Sequence, residues 1–360
     1  MLSLPQLNHT ESFAKLKIAV LQPDYSTSGV DYQYYDPKRD LSVIMPEATI
    51  DHIFLNKLST YQQLKQLKEK KYDIYINRCE GYLEWKVPSI DVITSLDLLE
   101  LPYTGPSANL YDPTKAIMKY LAFCESVKTP AHIVIESYDE IDALPGNLQF
   151  PLFVKPAKAG DSLGVDDASK ANNLEDLKKK VQAILDEFGS ALVEEYIDGR
   201  EFTVLVCGNA DGRTCTSFKP IEYIFPEGFA FKTYALKTSE LHPNANISVE
   251  DKALSAQLQS IAEQVFLSFN GVGYARMYFR MNHKGEIFFL EINFTCSVFY
   301  AEGYEGSADY ILMHDGVGKR GFLERIIVEG MARHQRKQKL FSIKGNSIYG
   351  YGIYAKYDLP

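Results

Sequence analysis

The stretch Gly285–Phe294, which reads GEIFFLEINF, decides the fold of this chain. Side chains alternate between the two faces of a strand, so Ile287, Phe289, Glu291 and Asn293 are predicted to share one face, while the remaining residues fill a core. An acid and an amide at the end of a buried strand need a ligand. Mg²⁺ prefers such hard oxygen atoms and usually keeps nucleotide phosphates among its ligands. The stretch therefore predicts a metal site at Glu291 and Asn293.

The preceding segment, Gly273–Met281, predicts a second strand, and the tight-turn sequence NHKG joins it to the first. A hairpin of the two strands is expected to set Arg276 opposite Glu291 and Tyr278 opposite Phe289, all on one face. An arginine there can clamp a carboxylate or a phosphate with two parallel hydrogen bonds. An ordinary arginine–glutamate cross-strand pair is equally consistent with this hairpin.

Composition narrows the class of protein. The 360 residues suggest two or three domains, and the formal net charge of -9 argues against nucleic acid or an anionic membrane as a general partner. The five cysteines are scattered without a C-x-x-C pair, which favours a reducing compartment over a disulfide framework or a zinc site. The segment Met1–Lys17 lacks the apolar core of a signal peptide, and no run is long enough to span a membrane. A cytoplasmic protein is expected.

The first third of the chain alternates between strands and helices. Lys17–Leu21 predicts a short buried strand that runs into a polar loop, and Tyr72–Asn77 predicts the next strand. Helical patterns cover Thr60–Lys70 and Pro88–Leu101. This alternation predicts a small domain built on a parallel sheet.

A helix is predicted to open at Asp112 and Pro113, with the aspartate as its cap. Lys115 and Lys119 lie four residues apart on one face of it. Two lysines on one helix face usually point into solvent. Solvent exposure and a functional role are therefore both open for this pair.

The predicted strand Phe150–Pro156 has a lysine near its end, and several small residues follow it. Gly160, Ser162 and Gly164 allow backbone N–H groups to converge on an anion, to which Lys155 adds positive charge. The spacing is not that of a P-loop, and a plain hairpin loop is the alternative.

An amphipathic helix is predicted over Leu174–Phe188, with Asn173 as its cap. The segment that follows it, residues 191–204, would suit a nucleotide. Backbone atoms at the end of the strand could read adenine, while Glu194 takes an amine hydrogen and Glu201 takes the ribose hydroxyls. Solvated acids on a plain strand–turn–strand unit are the alternative.

Taken together, these segments resemble the ATP-grasp ligases, and most closely the D-alanine–D-alanine ligase family. The match keeps the family order over roughly residues 70–315 and is carried by LPYTG (101–105), FPLFVKP (150–156), GDSLGV (160–165), LVEEYIDGREFTV (192–204) and FLEIN (289–293). The resemblance implies an α/β (α+β ATP-grasp) fold, in which a Rossmann-like N-terminal domain precedes two ATP-grasp subdomains with the nucleotide between them. It implies an N-terminal domain, a central subdomain, a C-terminal subdomain and a tail at 14–112, 113–195, 196–340 and 341–360.

The resemblance also implies roles for individual residues. FKTYALK (231–237) fits the family's F-x-x-Y-x-x-K. Nucleotide-binding roles fall on Lys115, Lys155, Gly160, Ser162, Glu194, Glu195, Tyr196, Ile197, Glu201 and Lys237. Arg276, Lys237 and Ser162 match catalytic positions, and Arg276 is the one that steadies the acyl phosphate. Glu291 and Asn293 match metal ligands.

Departures from the family are concentrated on the side of the amino-acid substrate. Tyr278 replaces an aspartate that binds metal, and a phenol with a pKa of about 10 is a poor Mg²⁺ ligand at neutral pH. Asp161 replaces the substrate-orienting serine, although Ser162 is adjacent, and Thr238 replaces a tyrosine. The segment Asn293–Tyr300 lacks the family's N-x-x-P-G-x-T. The glutamate that the family carries early in the chain, where it binds the ammonium of the first D-alanine, has no clear match in this sequence. Dipeptide formation from two D-alanines is therefore not expected.

The predicted function is an ATP-dependent carboxylate–amine ligase that forms an amide through an acyl phosphate, with ATP and Mg²⁺, or Mn²⁺ in its place. Amino acids, peptides or other small carboxylates and amines are the expected substrates. Asp24, Glu80 or Glu84 could bind a substrate ammonium, with simple solvation as the alternative for each. Glu302 or Asp309 could supply oxygen to the metal site.

Two other functions stay open. A non-catalytic ATP-binding protein descended from such a ligase is supported by Tyr278, and an ATP-grasp kinase or a ligase of another carboxylate class is a third reading. Homodimers among the relatives make a homodimer an expectation by analogy. The end of the chain, 340–360, reads as a strand pair or an interface arm.

Overall fold

A computed structural model describes most of the chain. The residues it describes are 13–28, 36–81, 85–146, 148–158, 162–228, 231, 245–346 and 350–355. Among them, no helix combines the length and the apolar character that crossing a bilayer requires. Gly160, Asp161, Glu84 and Lys237 lie outside the described residues.

A three-stranded parallel sheet forms the N-terminal part, as the alternation of strands and helices predicted. Its strand order is β2-β1-β3, with β1 paired in parallel to both neighbours. The strands are four to seven residues long, and the helix Thr60–Lys68 connects β2 to β3. The elements are β1 (Lys17–Pro23), β2 (Thr49–Leu55), α1 (Thr60–Lys68), β3 (Ile74–Asn77) and α2 (Ile90–Leu98).

Helix α3 (Lys115–Cys124) links this part to the next, and its predicted cap was wrong. Thr114 caps the helix, because its side chain accepts a hydrogen bond from the backbone N–H of Ile117 at 3.3 Å. Asp112 therefore lies outside the helix. The backbone N–H of Lys115 donates to the carbonyl of Ala157 at 3.3 Å, which holds the start of α3 beside the end of the strand Leu152–Pro156.

The second sheet is antiparallel, with the order β4-β7-β5-β6, and one helix covers it. This helix runs from Leu174 to Phe188, as predicted. Asn173 accepts hydrogen bonds from the N–H groups of its first turn, and Gly189 ends it in a left-handed conformation. The elements are β4 (His132–Ile135), β5 (Leu152–Pro156), β6 (Lys170–Ala171), α4 (Leu174–Phe188) and β7 (Ala191–Glu195).

The third sheet is also antiparallel and has the order β11-β10-β8-β12-β13, with β9 paired to β8. A helix packs on its apolar face and closes a core with α3. The elements are β8 (Gly199–Gly208), β9 (Cys215–Ser217), β10 (Ile221–Tyr223), β11 (Asn246–Ser248), α5 (Lys252–Ser268), β12 (Tyr274–Asn282) and β13 (Ile287–Asn293).

The β12–β13 hairpin forms as predicted, but its predicted register was wrong. Arg276 lies opposite Asn293 and Tyr278 lies opposite Glu291, whereas Phe279 lies opposite Phe289. The extra residue, Leu290, makes a bulge that reverses the alternation of β13.

The bulge also corrects the predicted faces. Before it, Ile287 and Phe289 point into the core, and after it Ile292 and Phe294 do so. Leu290 and Glu291 are then successive residues that both line the pocket described below. The bulge is thus what turns Glu291 away from the core.

Two helices and a strand pair complete the described chain. The C-terminal strand pair agrees with one of the two readings of that segment. The elements are α6 (Ser307–Asp315), α7 (Gly318–Leu340), β14 (Phe341–Asn346) and β15 (Gly350–Ala355).

Candidate nucleotide site

A pocket opens between the second and third sheets, and it collects most of the residues that the sequence singled out. Strands β5 and β7 supply one wall, while β8, β12 and β13 supply the other, and the start of α3 closes one end. The residues that line it include Lys115, Phe153, Lys155, Ser162, Glu194, Glu195, Tyr196, Ile197, Glu201, Phe231, Tyr278, Arg280, Leu290 and Glu291.

Buried lysines form one end of this pocket. Lys119 Nζ lies 2.5 Å from Glu194 Oε2, and Lys155 Nζ lies 2.6 Å from Glu194 Oε1. Lys115, Lys119 and Lys155 are all buried, so the reading of Lys115 and Lys119 as solvated was wrong. The reason is tertiary, because Glu194 on β7 compensates the charge of a lysine 75 residues earlier in the chain. Both Glu194 oxygens are engaged by lysines rather than left for an amine hydrogen of adenine.

The charges at this end act on one another. Burial opposes ionisation of Glu194, but Lys119 and Lys155 outweigh it and lower the pKa of Glu194 to about 2. For Lys115, burial prevails over the attraction of Glu291 and lowers the pKa to about 8. Burial also disfavours the charge of Lys155, yet Glu194 and Glu291 raise its pKa overall. Three lysines against two carboxylates leave a net positive charge that suits a polyphosphate.

The other end of the pocket is aromatic. The rings of Phe153 and Tyr196 stack with centroids 6.2 Å apart, and Phe231 meets both of them edge-on at 5.0 and 6.2 Å. The backbone N–H groups of Glu195 and Tyr196 donate to the carbonyls of Ala131 and Pro151, directly before β4 and β5, at 2.9 and 3.0 Å, which fixes the segment leading to Ile197. Such a slot offers faces for a planar base.

Arg280 is a pocket residue that the sequence analysis missed. Its Nε lies 3.8 Å from Glu201 Oε2, and its guanidinium lies 5.0 Å from the centre of the Tyr196 ring. Glu201 and Arg280 are directly opposite one another on β8 and β12, and both are buried, so the solvated reading of Glu201 was wrong. The period of two along β12 could have revealed Arg280, since it follows Arg276 and Tyr278 on the same face.

Arg276 lies next to the pocket and contacts it through Tyr278. Its Nη2 donates to the Tyr278 hydroxyl at 2.6 Å, and both side chains are buried. Ser162 lines the pocket in a left-handed backbone conformation, with φ of 59°. A phenol and a loop hydroxyl therefore lie in the wall of the pocket, and an arginine lies next to it.

The predicted metal ligands differ in availability. Glu291 lines the pocket near Lys115 and Lys155, where its charge acts on both. Asn293 Oδ1 accepts hydrogen bonds from the backbone N–H and the hydroxyl of Thr295, at 2.8 and 3.1 Å. Over the described chain, no group of three or more His, Cys, Asp and Glu residues could hold a metal. One carboxylate beside a cluster of buried lysines still fits Mg²⁺, which takes one or two carboxylates with nucleotide phosphates.

Three of the acids proposed for a substrate ammonium or for the metal, Asp24, Glu80 and Asp309, bond to other groups of the chain. Asp24 accepts from the N–H of Ser26 at 3.0 Å, which lowers its pKa. Glu80 is paired with Arg78 and accepts from Ser297, so its solvated reading was wrong. Asp309 is buried and accepts from the N–H groups of Phe299 and Gly306 at 2.8 and 3.1 Å, whereas Glu302 is exposed.

Comparison with known proteins finds one family repeatedly. A family model described as "D-ala D-ala ligase C-terminus" matches residues 121–299. The D-alanine–D-alanine ligase of Enterococcus hirae is 28% identical over 260 residues, which is 68% of this chain and 68% of that protein. The enzyme of the same name from Enterococcus faecalis is 29% identical over 55% of this chain and 58% of its own length.

Solved structures give the same fold. The D-alanine–D-alanine ligase of Coxiella burnetii superposes with a TM-score of 0.65 and 18% identity, covering 91% of this chain and 97% of that one. The Bacillus anthracis ligase complexed with ATP gives a TM-score of 0.61 at 18% identity, covering 89% of this chain and 99% of that one. The predicted ATP-grasp arrangement is therefore confirmed at the level of the fold.

Proposed function

The chain is a D-alanine–D-alanine ligase-like ATP-grasp protein, a class of ADP-forming carbon–nitrogen ligases, and from that premise we propose that it joins a small carboxylate to an amine through an acyl phosphate. The observation that carries the proposal is the pocket between the two antiparallel sheets. It combines buried lysines at one end with an aromatic slot at the other, and Arg276 lies beside it.

ATP fits this pocket in one direction. The base lies among Phe153, Tyr196 and Phe231, and the ribose hydroxyls face Glu201. The phosphates then reach Lys115 and Lys155, whose positive charge stabilises the charge that moves during phosphoryl transfer. Lys119 takes part through Glu194, which it helps to keep ionised and in place.

The reaction has two steps. An oxygen of the substrate carboxylate attacks the γ-phosphorus, and the bond to the β-phosphate oxygen breaks, which gives an acyl phosphate and ADP. The amine nitrogen then attacks the acyl carbon, the carbon–oxygen bond to phosphate breaks, and an amide, phosphate and one proton are released. Arg276 stabilises the oxyanion of the second step by its position beside the phosphate end. The site must exclude water to protect the acyl phosphate.

We further propose Mg²⁺, replaceable by Mn²⁺, with Glu291 as its protein ligand. Bound there, the ion would supply charge neutralisation to the phosphates. Asn293 is a second proposed ligand if its bonds to Thr295 open. Gly160 and Lys237 are proposed nucleotide contacts, and Ser162 is proposed to orient the reacting groups.

The substrates are proposed to differ from a pair of D-alanines. Tyr278 and the segment Asn293–Tyr300 support this, because they depart from the family pattern at positions that the resemblance assigns to metal and substrate binding. Small amino acids, peptides and organic acids are the proposed classes. A homodimer and the domain boundaries 14–112, 113–195, 196–340 and 341–360 remain predictions, and the separate strand orders of the three sheets support the division.

The test is release of ADP from ATP and Mg²⁺ with pairs of carboxylates and amines, together with mass spectrometry of the amide. We expect ADP release that requires both substrates and that Lys155→Met abolishes. Because Arg276 donates to Tyr278, ATP binding without reaction is the second candidate. Binding of Mg·ATP without turnover on any pair, with turnover appearing in Tyr278→Asp, would establish that candidate and reject the ligase.

A further inference from the structure

A second polar cluster lies at the carboxyl ends of β1 and β3, and its residues are not among those that line the pocket described above. Arg78 directly follows β3, and Arg39 is held to β1 by Gln22, whose side chain bonds both the N–H and the carbonyl of Arg39 at 2.8 and 3.1 Å. Strand β1 has β2 on one side and β3 on the other, so the strand order reverses here. Ligands of open parallel sheets bind in the crevice outside the strand ends at such a point.

The two arginines are almost completely buried, at 2% exposure for Arg39 and 1% for Arg78. Their acidic neighbours are already supplied with donors. Asp36 is paired with Arg39 and accepts from the Tyr300 hydroxyl at 3.2 Å. Glu80 is paired with Arg78 and accepts from the Ser297 hydroxyl at 2.7 Å. The carboxylates of this cluster therefore have little capacity for a further cation.

Three buried donor atoms of the cluster, Arg39 Nε, Arg78 Nε and Arg78 Nη2, and one acceptor, Glu80 Oε1, make no hydrogen bond within the described residues, but Arg78 Nη2 and Glu80 Oε1 are ion-paired with each other. The Nε–H groups of Arg39 and Arg78 are buried and have no hydrogen-bond acceptor within the part of the chain that the structure describes. A buried N–H group without an acceptor is costly, so natural structures usually supply one. A ligand that bonds these two Nε–H groups must bring acceptor oxygens rather than a positive charge.

The cluster also borders the proposed reaction centre. The buried thiol of Cys296 lies within the electrostatic reach of Arg276, Glu80 and Arg78 together. Counting Arg276, the region holds three guanidinium groups against the carboxylates of Asp36 and Glu80. A net positive, donor-rich cluster favours an anion.

We propose that Arg39 and Arg78 bind a carboxylate group of one of the two ligase substrates. This inference rests on the proposed function and adds a substrate class to it. The carboxylate has two sources: the second acid group of a dicarboxylic acid whose first group is activated, or the α-carboxylate of the amino acid that provides the amine. In both cases the substrate is anchored by its negative charge, and Glu80 holds the arginines rather than a substrate ammonium.

Calorimetric titration of the unmodified chain, with and without a non-hydrolysable ATP analogue, tests this with matched ligands. Succinate is compared with succinamate for the dicarboxylic source, and alanine with alaninamide for the amino-acid source. In at least one pair the carboxylate should bind about tenfold tighter or more, because its hydrogen bonds to arginine are charge-assisted. Equal affinity within both pairs would overturn the inference.

Arg39→Lys and Arg78→Lys retain a positive charge but lose the Nε–H and the fork geometry. We expect each to remove the preference for the carboxylate while leaving the affinity for Mg·ATP unchanged. The matched control is Arg320→Lys. Arg320 lies on the outer face of α7, where it pairs with Glu47 and Glu324, so this variant should retain the preference for the carboxylate. If a variant does not fold, the comparison of carboxylate and amide ligands on the unmodified chain still tests the proposal.

The two proposals fail differently. Normal binding of Mg·ATP with no discrimination between carboxylate and amide would reject the arginine site and leave the ligase proposal standing. Discrimination by the arginine site with no nucleotide binding would reject the ligase proposal instead.

Discussion

Glu194→Gln removes the one negative charge that lies between two buried lysines. The substitution retains the shape of the side chain but leaves Lys119 and Lys155 facing each other without their shared carboxylate. The pKa of Glu194 falls from 4.5 to about 2, roughly 2.5 units, so at about 1.4 kcal/mol per unit its charge contributes on the order of 3 kcal/mol to folding. Loss of one partner of a buried ion pair costs a similar ~3–5 kcal/mol.

The sign of this contribution fixes its dependence on pH. Because the folded pKa lies below the unfolded pKa, the stabilisation is present at neutral pH and is lost as pH falls from about 4.5 towards about 2. Urea denaturation followed by circular dichroism at pH 7 should show the loss of ~3 kcal/mol in Glu194→Gln. The difference between variant and unmodified chain should shrink in acid over the same interval.

Two further measurements sharpen this prediction. Saturating Mg·ATP should recover part of the lost stability, because a triphosphate restores negative charge beside the lysines. Glu175→Gln is the control, since Glu175 pairs with Lys179 on the exposed face of α4 and should leave the denaturation midpoint unchanged. Equal stability of Glu194→Gln and the unmodified chain at pH 7 would refute the account of the lysine cluster.

Three other predictions concern the pocket and its walls. Because the pKa of Lys115 is about 8, the affinity for ATP measured by calorimetry should fall as pH rises from 7 to 9, and Lys115→Arg should flatten that profile; an unchanged slope would contradict it. Arg280→Met should weaken ATP about tenfold but leave the affinity for inorganic triphosphate unchanged, since Arg280 lies at the Glu201 end; equal losses for both ligands would be contrary evidence. A Cβ on Gly199 would lie 2.1 Å from the carbonyl oxygen of Met281, so Gly199→Ala should cost about 1–3 kcal/mol more in urea denaturation than the control Gly189→Ala, which meets open space; similar losses would exclude the clash.

The sequence predicted those elements whose start and end are determined by residues a few positions away in the chain. The helix Leu174–Phe188 is bounded by a capping asparagine before it and a glycine after it, so both of its ends could be predicted from neighbouring residues. The parallel N-terminal sheet and the hairpin turn before Ile287 were predictable for the same reason.

Features that depend on distant partners were not predictable from local patterns. The bulge at Leu290 shifts the pairing of Glu291, and nothing in the alternation of β13 indicates it. Burial of Lys119 requires Glu194, which another sheet brings within 2.5 Å. The hydrogen bond from Arg276 to Tyr278 likewise gives the phenol a partner that sequence spacing alone did not reveal.

The central claim is that ATP lies between the second and third sheets with its phosphates on buried lysines. Calorimetric titration of Mg·ATP into the unmodified chain and into folded Lys155→Met tests it most directly. The account predicts one nucleotide per chain, bound at least about tenfold more weakly by the variant, because Lys155 makes a charge-assisted contact with the phosphates. No binding to the unmodified chain, or equal binding to both proteins, would contradict it.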